Sequence, residues 1–251
     1  MSRQVYLDYA ATTFTAPEVV SAMTPYFTES FGNPSSIYSF SERNRKAIDA
    51  ARQKVADVLG ATKEEIFFTS GGTEADNWAL KGAAWRNRSK GNHVITTKIE
   101  HHAVLHTAQF LQENGFDVTF LDVDAEGRIS LDDLKKAVTG KTVLVSVMFA
   151  NNEIGTLQPV AEIGAFCREK GILFHTDAVQ ATAHVPIDVK AMNIDLLSLS
   201  AGNIFRGGPP PSTCGRASGS TTSCTAGDRK EGGGPPRRML PVSSDWAPPS
   251  S

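Results

Sequence analysis

Cysteine is scarce in this sequence. Three residues, Cys167, Cys214 and Cys224, form neither a disulfide framework nor a metal-ligand spacing, so a stapled secreted scaffold is excluded. Long apolar runs are absent as well: no stretch approaches the ~20 residues of a membrane span. The N-terminus, Met1-Ser-Arg-Gln, has neither the basic nor the apolar region of a signal peptide. Charge of one sign is also lacking. A net charge of −2 argues against a nucleic-acid or membrane surface. A reducing, cytoplasmic location is the expectation. What remains is an ordinary globular composition, 40% apolar and 21% charged, over 251 residues.

Composition changes abruptly near the C-terminus. Nine of the 21 glycines and eight of the 13 prolines lie in residues 202–251, where Leu, Ile and Val almost vanish. Such a segment buries too little surface to offset its chain entropy. The expected division is an extended N-terminal segment, 1–15, a folded domain, 16–201, and a disordered tail, 202–251.

Within the folded part, strand and helix patterns alternate. Helices are predicted from Pro17, over Ser39 to Leu59, from Thr73, from Glu100-His101-His102 to about Glu113, from Ser130, and over Val160 to Lys170. Ala47, Ala51, Val55 and Leu59 mark the inner stripe of the second, and Gly60 closes it. Apolar runs at Glu65–Ser70, His93–Thr97, Phe116–Val123, Thr142–Phe149, Ile172–Asp177 and Asp195–Ser200 read as strands. The fold class is therefore α/β, a mostly parallel sheet flanked by helices.

In such sheets ligands collect at the carboxyl ends of strands. Asp177 ends one strand, with Gln180 a turn later, and Ser200 ends the next. A carboxylate there is placed to hold the protonated ring nitrogen of a pyridine cofactor. That chemistry also needs a lysine, and the place for it is just after Ser200. The chain reads Ala201-Gly202-Asn203 instead. Gly71-Gly72 precedes a helix whose Thr73 and Asp76 have capping-box spacing. The pair reads either as a phosphate cradle or as a plain turn into a capped helix. It is neither a P-loop nor a GxGxxG fingerprint. His101, His102 and His106 make a poor metal set, because adjacent helical histidines diverge and no Cys or carboxylate completes them. Cys167 reads as a small core residue.

Leu7-Asp-Tyr-Ala-Ala-Thr-Thr, Thr69-Ser-Gly-Gly-Thr-Glu-Ala-Asp-Asn, Glu100-His101-His-Ala-Val, Asn151-Asn-Glu-Ile-Gly and His175-Thr-Asp-Ala-Val-Gln occur in that order. Together, over residues 4–201, they resemble the cysteine desulfurases of the NifS/IscS type. These are pyridoxal 5'-phosphate (PLP) enzymes of the aspartate aminotransferase-like fold. The resemblance implies that Gly72, Thr73 and Ser200 hold the phosphate and that His101 stacks on the ring. It further implies that Asp177 pairs with the ring nitrogen, while Asn152 and Gln180 bond near the phenolic oxygen. In the family a lysine carries the cofactor and a mobile-loop cysteine thiolate takes sulfur from L-cysteine, leaving alanine. The persulfide then serves an iron–sulfur scaffold or another sulfur acceptor, and the enzyme is a homodimer.

The sequence departs from that pattern at Gly202-Asn203, where the family has His-Lys. Asn203 stands at the expected lysine position, and the small C-terminal domain is expected to be absent. The tail is compatible with a frame shift. Read from third codon bases, Arg237-Arg238 can give Glu, Arg238-Met239 Asn, and Trp246-Ala247 must give Gly. The hidden string can read Thr-Glu-Asn-Val-Ala-Gly-Ile-Val-Gly-Leu-Gly, and Cys224 to Glu231 can hide His-Gly-Gly-Gly-Gln-Glu. Both resemble the family's continuation. The expectation is an inactive chain of desulfurase descent. The alternatives are a non-catalytic PLP-binding or scaffold-binding fragment, and a selenocysteine lyase-like protein.

Overall fold

The computed structural model describes residues 5–6, 8, 13–201 and 223–226. Six α-helices and seven strands alternate along them: α1 (Pro17–Thr28), α2 (Ser39–Leu59), β1 (Ile66–Thr69), α3 (Gly72–Arg86), β2 (His93–Thr97), α4 (His102–Glu113), β3 (Asp117–Leu121), α5 (Leu131–Ala137), β4 (Thr142–Ser146), α6 (Val160–Lys170), β5 (Leu173–Asp177), β6 (Leu196–Ser200) and β7 (Ser223–Ala226). Helix ends follow the local chemistry. Pro17 sits in the first turn of α1, the Ser130 hydroxyl accepts from the Asp133 N–H, and Gly60 and Gly171 close α2 and α6 at φ of 68° and 67°. The α2 stripe is shallower than its spacing suggests. Ala47, Ala51 and Val55 are half-buried, while Ser41, Asn44, Ala56 and Leu59 are buried. Asn44 turns inward because its amide donates to the carbonyls of Ser30 and Gly32, pinning the preceding loop.

The sheet order is β1-β7-β6-β5-β4-β2-β3. Strands β3, β2, β4, β5 and β6 pair in parallel, and β7 runs antiparallel to both β1 and β6. Hence six strands share one direction and their carboxyl ends share one edge. β7 lies within 202–251, the segment expected to be disordered. Residues 220–226 form a stretch free of Gly and Pro, and four of them fill the slot between the backbones of β1 and β6. The rest of the tail, Asn203 included, lies outside the described residues, as does most of the Leu7–Thr13 motif.

Alternation along the strands separates two cores. Ile95, Val145, Phe174 and Leu197 face one side, against Leu59, Ile163 and Cys167. Val94, Leu144 and Leu196 face the other, against Ala79, Leu80 and Ala83 of α3 and Val104 and Leu111 of α4. Period two then fixes which way His175 and Asp177 point. They lie opposite Phe174, on the side of α3 and α4.

Candidate functional site

Toward the carboxyl ends, the face under α3 changes from apolar to polar. Leu144 pairs with Leu173, but two residues later Ser146 pairs with His175 and Asp177 with Ser198. The Asp177 carboxylate closes this row. It is buried, and its Oδ1 accepts the Val179 N–H at 2.9 Å. Burial raises its pKa, while the Val179 hydrogen bond and the nearby His101 act the other way. Main-chain bonds fix the strand end. The Phe149 N–H donates to the Asp177 carbonyl and the Ala178 N–H to the Ser198 carbonyl, both at 2.8 Å.

Next to this end lies the N-terminus of α3. A Cβ at Gly72 would come within 3.2 Å of Val179 Cγ2, so glycine lets the helix start against the turn after Asp177. The expected capping box between Thr73 and Asp76 is not formed. Gly71 is the N-cap, no side chain caps the helix, and Glu74 takes the Ser70 N–H instead. Asp76 turns inward because it lies on the buried side of α3, with Ala75, Ala79 and Leu80. The first helical N–H groups are left facing out beside Thr73, which is exposed.

His101 caps α4, its Nδ1 accepting the Ala103 N–H at 3.1 Å. That bond makes Nδ1 the unprotonated nitrogen and fixes the ring at the mouth of the site. A cleft of about 360 Å³ runs outward from there between α3 and α4, past Thr73, Asn77, Lys81, His102 and His106. Asn152 follows β4, in a loop organised by its neighbour. Asn151 donates to the Ile99 carbonyl at 2.9 Å and accepts from the Glu153 and Ile154 N–H groups. The Asn152 amide itself donates to Glu153 Oε1 at 2.7 Å. Gln180 is half-buried in the turn after Asp177, and Ser200 is half-buried at the end of β6. The fold thus brings Gly72, Thr73, His101, Asn152, Asp177, Gln180 and Ser200 to one edge of the sheet.

Three buried polar residues beneath this edge are given no part in the site by sequence reasoning. His175 is fully buried, with Nδ1 2.8 Å from Ser146 Oγ and Nε2 3.0 Å from Ser198 Oγ. Asp76 Oδ1 lies 3.6 Å from His175 Nε2, yet the two are not an ion pair. Burial pushes His175 down to about 3, while burial and the neighbouring Asp177 push Asp76 well up. Glu100 Oε1 accepts from Thr97 Oγ1 at 2.8 Å and from the Met148 N–H at 2.9 Å. Burial raises Glu100 to about 8, and its Oε2 has no hydrogen-bond partner. The one visible signal for this group is a histidine two residues before Asp177 in an otherwise apolar strand. Cys167 is a different case. It is buried on α6 and its thiol is pushed up to about 12, so it is inert as a nucleophile.

Residues 5–205 match the family model described as aminotransferase class-V. The chain belongs to that family. Among class-V relatives, the cysteine desulfurase IscS of Clostridium botulinum (strain Kyoto / Type A2) is 65% identical over 205 residues, which is 82% of this chain and 52% of that protein. The IscS of Methanosarcina thermophila is 59% identical over 214 residues, 85% of this chain and 52% of that protein. The chain spans about half the length of the curated relatives it matches. Among solved structures, one described as SspA in complex with cysteine superposes with a TM-score of 0.81 at 40% identity, covering 89% of this chain and 61% of that one. A NifS-like protein gives 0.81 at 37% identity, over 89% and 59%. Both curated relatives are described as cysteine desulfurases. Among the described residues no helix is long and apolar enough to cross a membrane.

Proposed function

We propose that this chain carries the cofactor-holding site of a cytoplasmic, homodimeric cysteine desulfurase. Such an enzyme removes sulfur from L-cysteine, leaves alanine, and passes a persulfide to an iron–sulfur scaffold or another acceptor. The observation that carries this reading is the buried Asp177 carboxylate, set against the open N-terminus of α3 and beside His101. A phosphorylated pyridine fits those groups. The Gly72 and Thr73 end of α3, with Ser200, suits a phosphate, and Asp177 suits a protonated ring nitrogen. His101 would stack on the ring, and Asn152 and Gln180 would bond near the phenolic oxygen. When bound, PLP supplies an electron sink for the substrate's α-carbon.

The chain's own contribution is to bind and orient, and we propose that it does not turn over. Moving the α-proton needs a base, and taking the sulfur needs a thiolate. Asn203 stands where the lysine is expected. Cys167 is buried and protonated. The proposal includes the out-of-frame reading of the sequence after Gly202. Sulfide and alanine are the readouts: cysteine incubated with the PLP-loaded chain should yield neither above the free-cofactor background. Stoichiometric alanine formation over several turnovers would overturn this part.

A further inference from the structure

Among the described residues no cation balances the buried Asp76 carboxyl. The titratable groups around it are Asp177 and Glu100, both buried acids, and His175, which is held neutral. Ser198 acts on Asp76 as a hydrogen-bond donor, drawing its pKa down against the burial, and Asp76 Oδ1 lies 3.6 Å from His175 Nε2. Ser198 Oγ in turn lies 3.0 Å from His175 Nε2, and His175 Nδ1 lies 2.8 Å from Ser146 Oγ. The three links can be made in one direction, with Asp76 Oδ1 left without a hydrogen-bond partner among the described residues. Ser146 donates to Nδ1, the Nε2–H donates to Ser198, and Ser198 donates to the Asp76 carboxyl. The chain spans α3, β6, β5 and β4; Ser198 is the register partner of Asp177, and His175 and Ser146 lie one row beneath. Asp76 sits one turn into the helix that begins at Gly72.

We propose that Asp76 is a positioning residue. Through Ser198 and His175 it ties the helix end that seats the phosphate to the strand end that presents Asp177, so that the two halves of the cofactor site keep one spacing. This rests on the reading of the site given above. A neutral Asp76 also leaves Asp177 as the carboxylate that faces the ring, because two adjacent buried acids do not both ionise. A buried chain of hydrogen bonds rigidifies the elements it joins.

The test uses the full chain and pyridoxine phosphate, the alcohol analogue of PLP, which cannot bond covalently to lysine. Affinity and ring-nitrogen protonation are both read from its absorbance as pH is varied. Asp76→Asn keeps the shape and an acceptor for Ser198, so affinity should stay within about twofold of wild type, with the protonation midpoint unmoved. Asp76→Ala should bind roughly tenfold more weakly and lower the midpoint by about one pH unit. Ser198→Ala, the milder change should Asp76→Ala fail to fold, should lower both in the same direction. An Asp76→Asn protein as impaired as Asp76→Ala would overturn the proposal, and so would an unmoved midpoint in Ser198→Ala. Failure of the underlying site reading looks different. Wild type would then not bind the analogue, or Asp177→Asn would bind it with the wild-type midpoint, and this proposal would fall with that reading.

Discussion

Glu100 shows most plainly how a single residue sets behaviour. Its carboxyl is held at about 8 by burial, against an ordinary 4.5. In the folded chain it therefore keeps a proton that the unfolded chain has already lost. Stability from this group is complete below pH 4.5 and is lost as pH rises through 8. Glu100→Gln mimics the protonated form and should remove that loss. The difference in unfolding free energy between variant and wild type should then grow in favour of the variant by about 1.4 kcal/mol per pH unit at most, between pH 5 and 8. Denaturant melts at three pH values measure it. A constant difference would mean that Glu100 is ionised in the fold. His175 acts with the opposite sign. Held near 3 rather than 6.5, it stays neutral in the fold and withdraws stability as pH falls below 6.5. Neither effect is legible in the sequence, where Glu100 and His175 are motif letters beside His101 and Asp177. Burial of a polar side chain is a tertiary fact.

At the scale of elements, the start of α3 carries the most. Gly71 has open space around an added Cβ, whereas Gly72 meets Val179 at 3.2 Å. Gly71→Ala should therefore change the unfolding free energy by no more than about 0.5 kcal/mol. Gly72→Val should crowd the turn after Asp177 and weaken pyridoxine phosphate at least tenfold. Free pyridoxine, which lacks the phosphate, should be affected less, because the crowding falls on the phosphate end. Equal losses for both ligands would show that the contact serves the ring end instead. Element boundaries were the most legible feature. Helices 39–59 and 160–170 and the strand 93–97 are found where apolar period, Gly closures and caps put them. The capping box at Thr73 and Asp76 misled because its spacing is local, whereas the pull on Asp76 comes from β5 and β6. Strand β7 escaped for the same reason. Ser-Cys-Thr-Ala has weak strand character of its own, and its pairing is set by β1 and β6.

At the scale of the whole molecule, the site is one edge of a sheet, and its residues come from five separate loops. Their convergence was readable because parallel strands send all their carboxyl ends to one side. The network beneath was not, since it depends on which face of β5 meets α3. The proposed absence of a covalent anchor has a direct consequence. Asn203→Lys should let PLP be trapped by borohydride at position 203, while sulfide release stays at background because the family's mobile-loop cysteine is expected to be missing. Peptide mapping and a sulfide assay on the same sample separate those two results.

The central claim, a non-covalent cofactor seat at Asp177, His101 and Gly72-Thr73, is tested most directly by titrating the wild-type chain with PLP and reducing with borohydride. Saturable binding at one equivalent per chain, with no single lysine labelled on peptide mapping, is the predicted result. A stoichiometric adduct on one lysine, or no saturable binding at all, would contradict it.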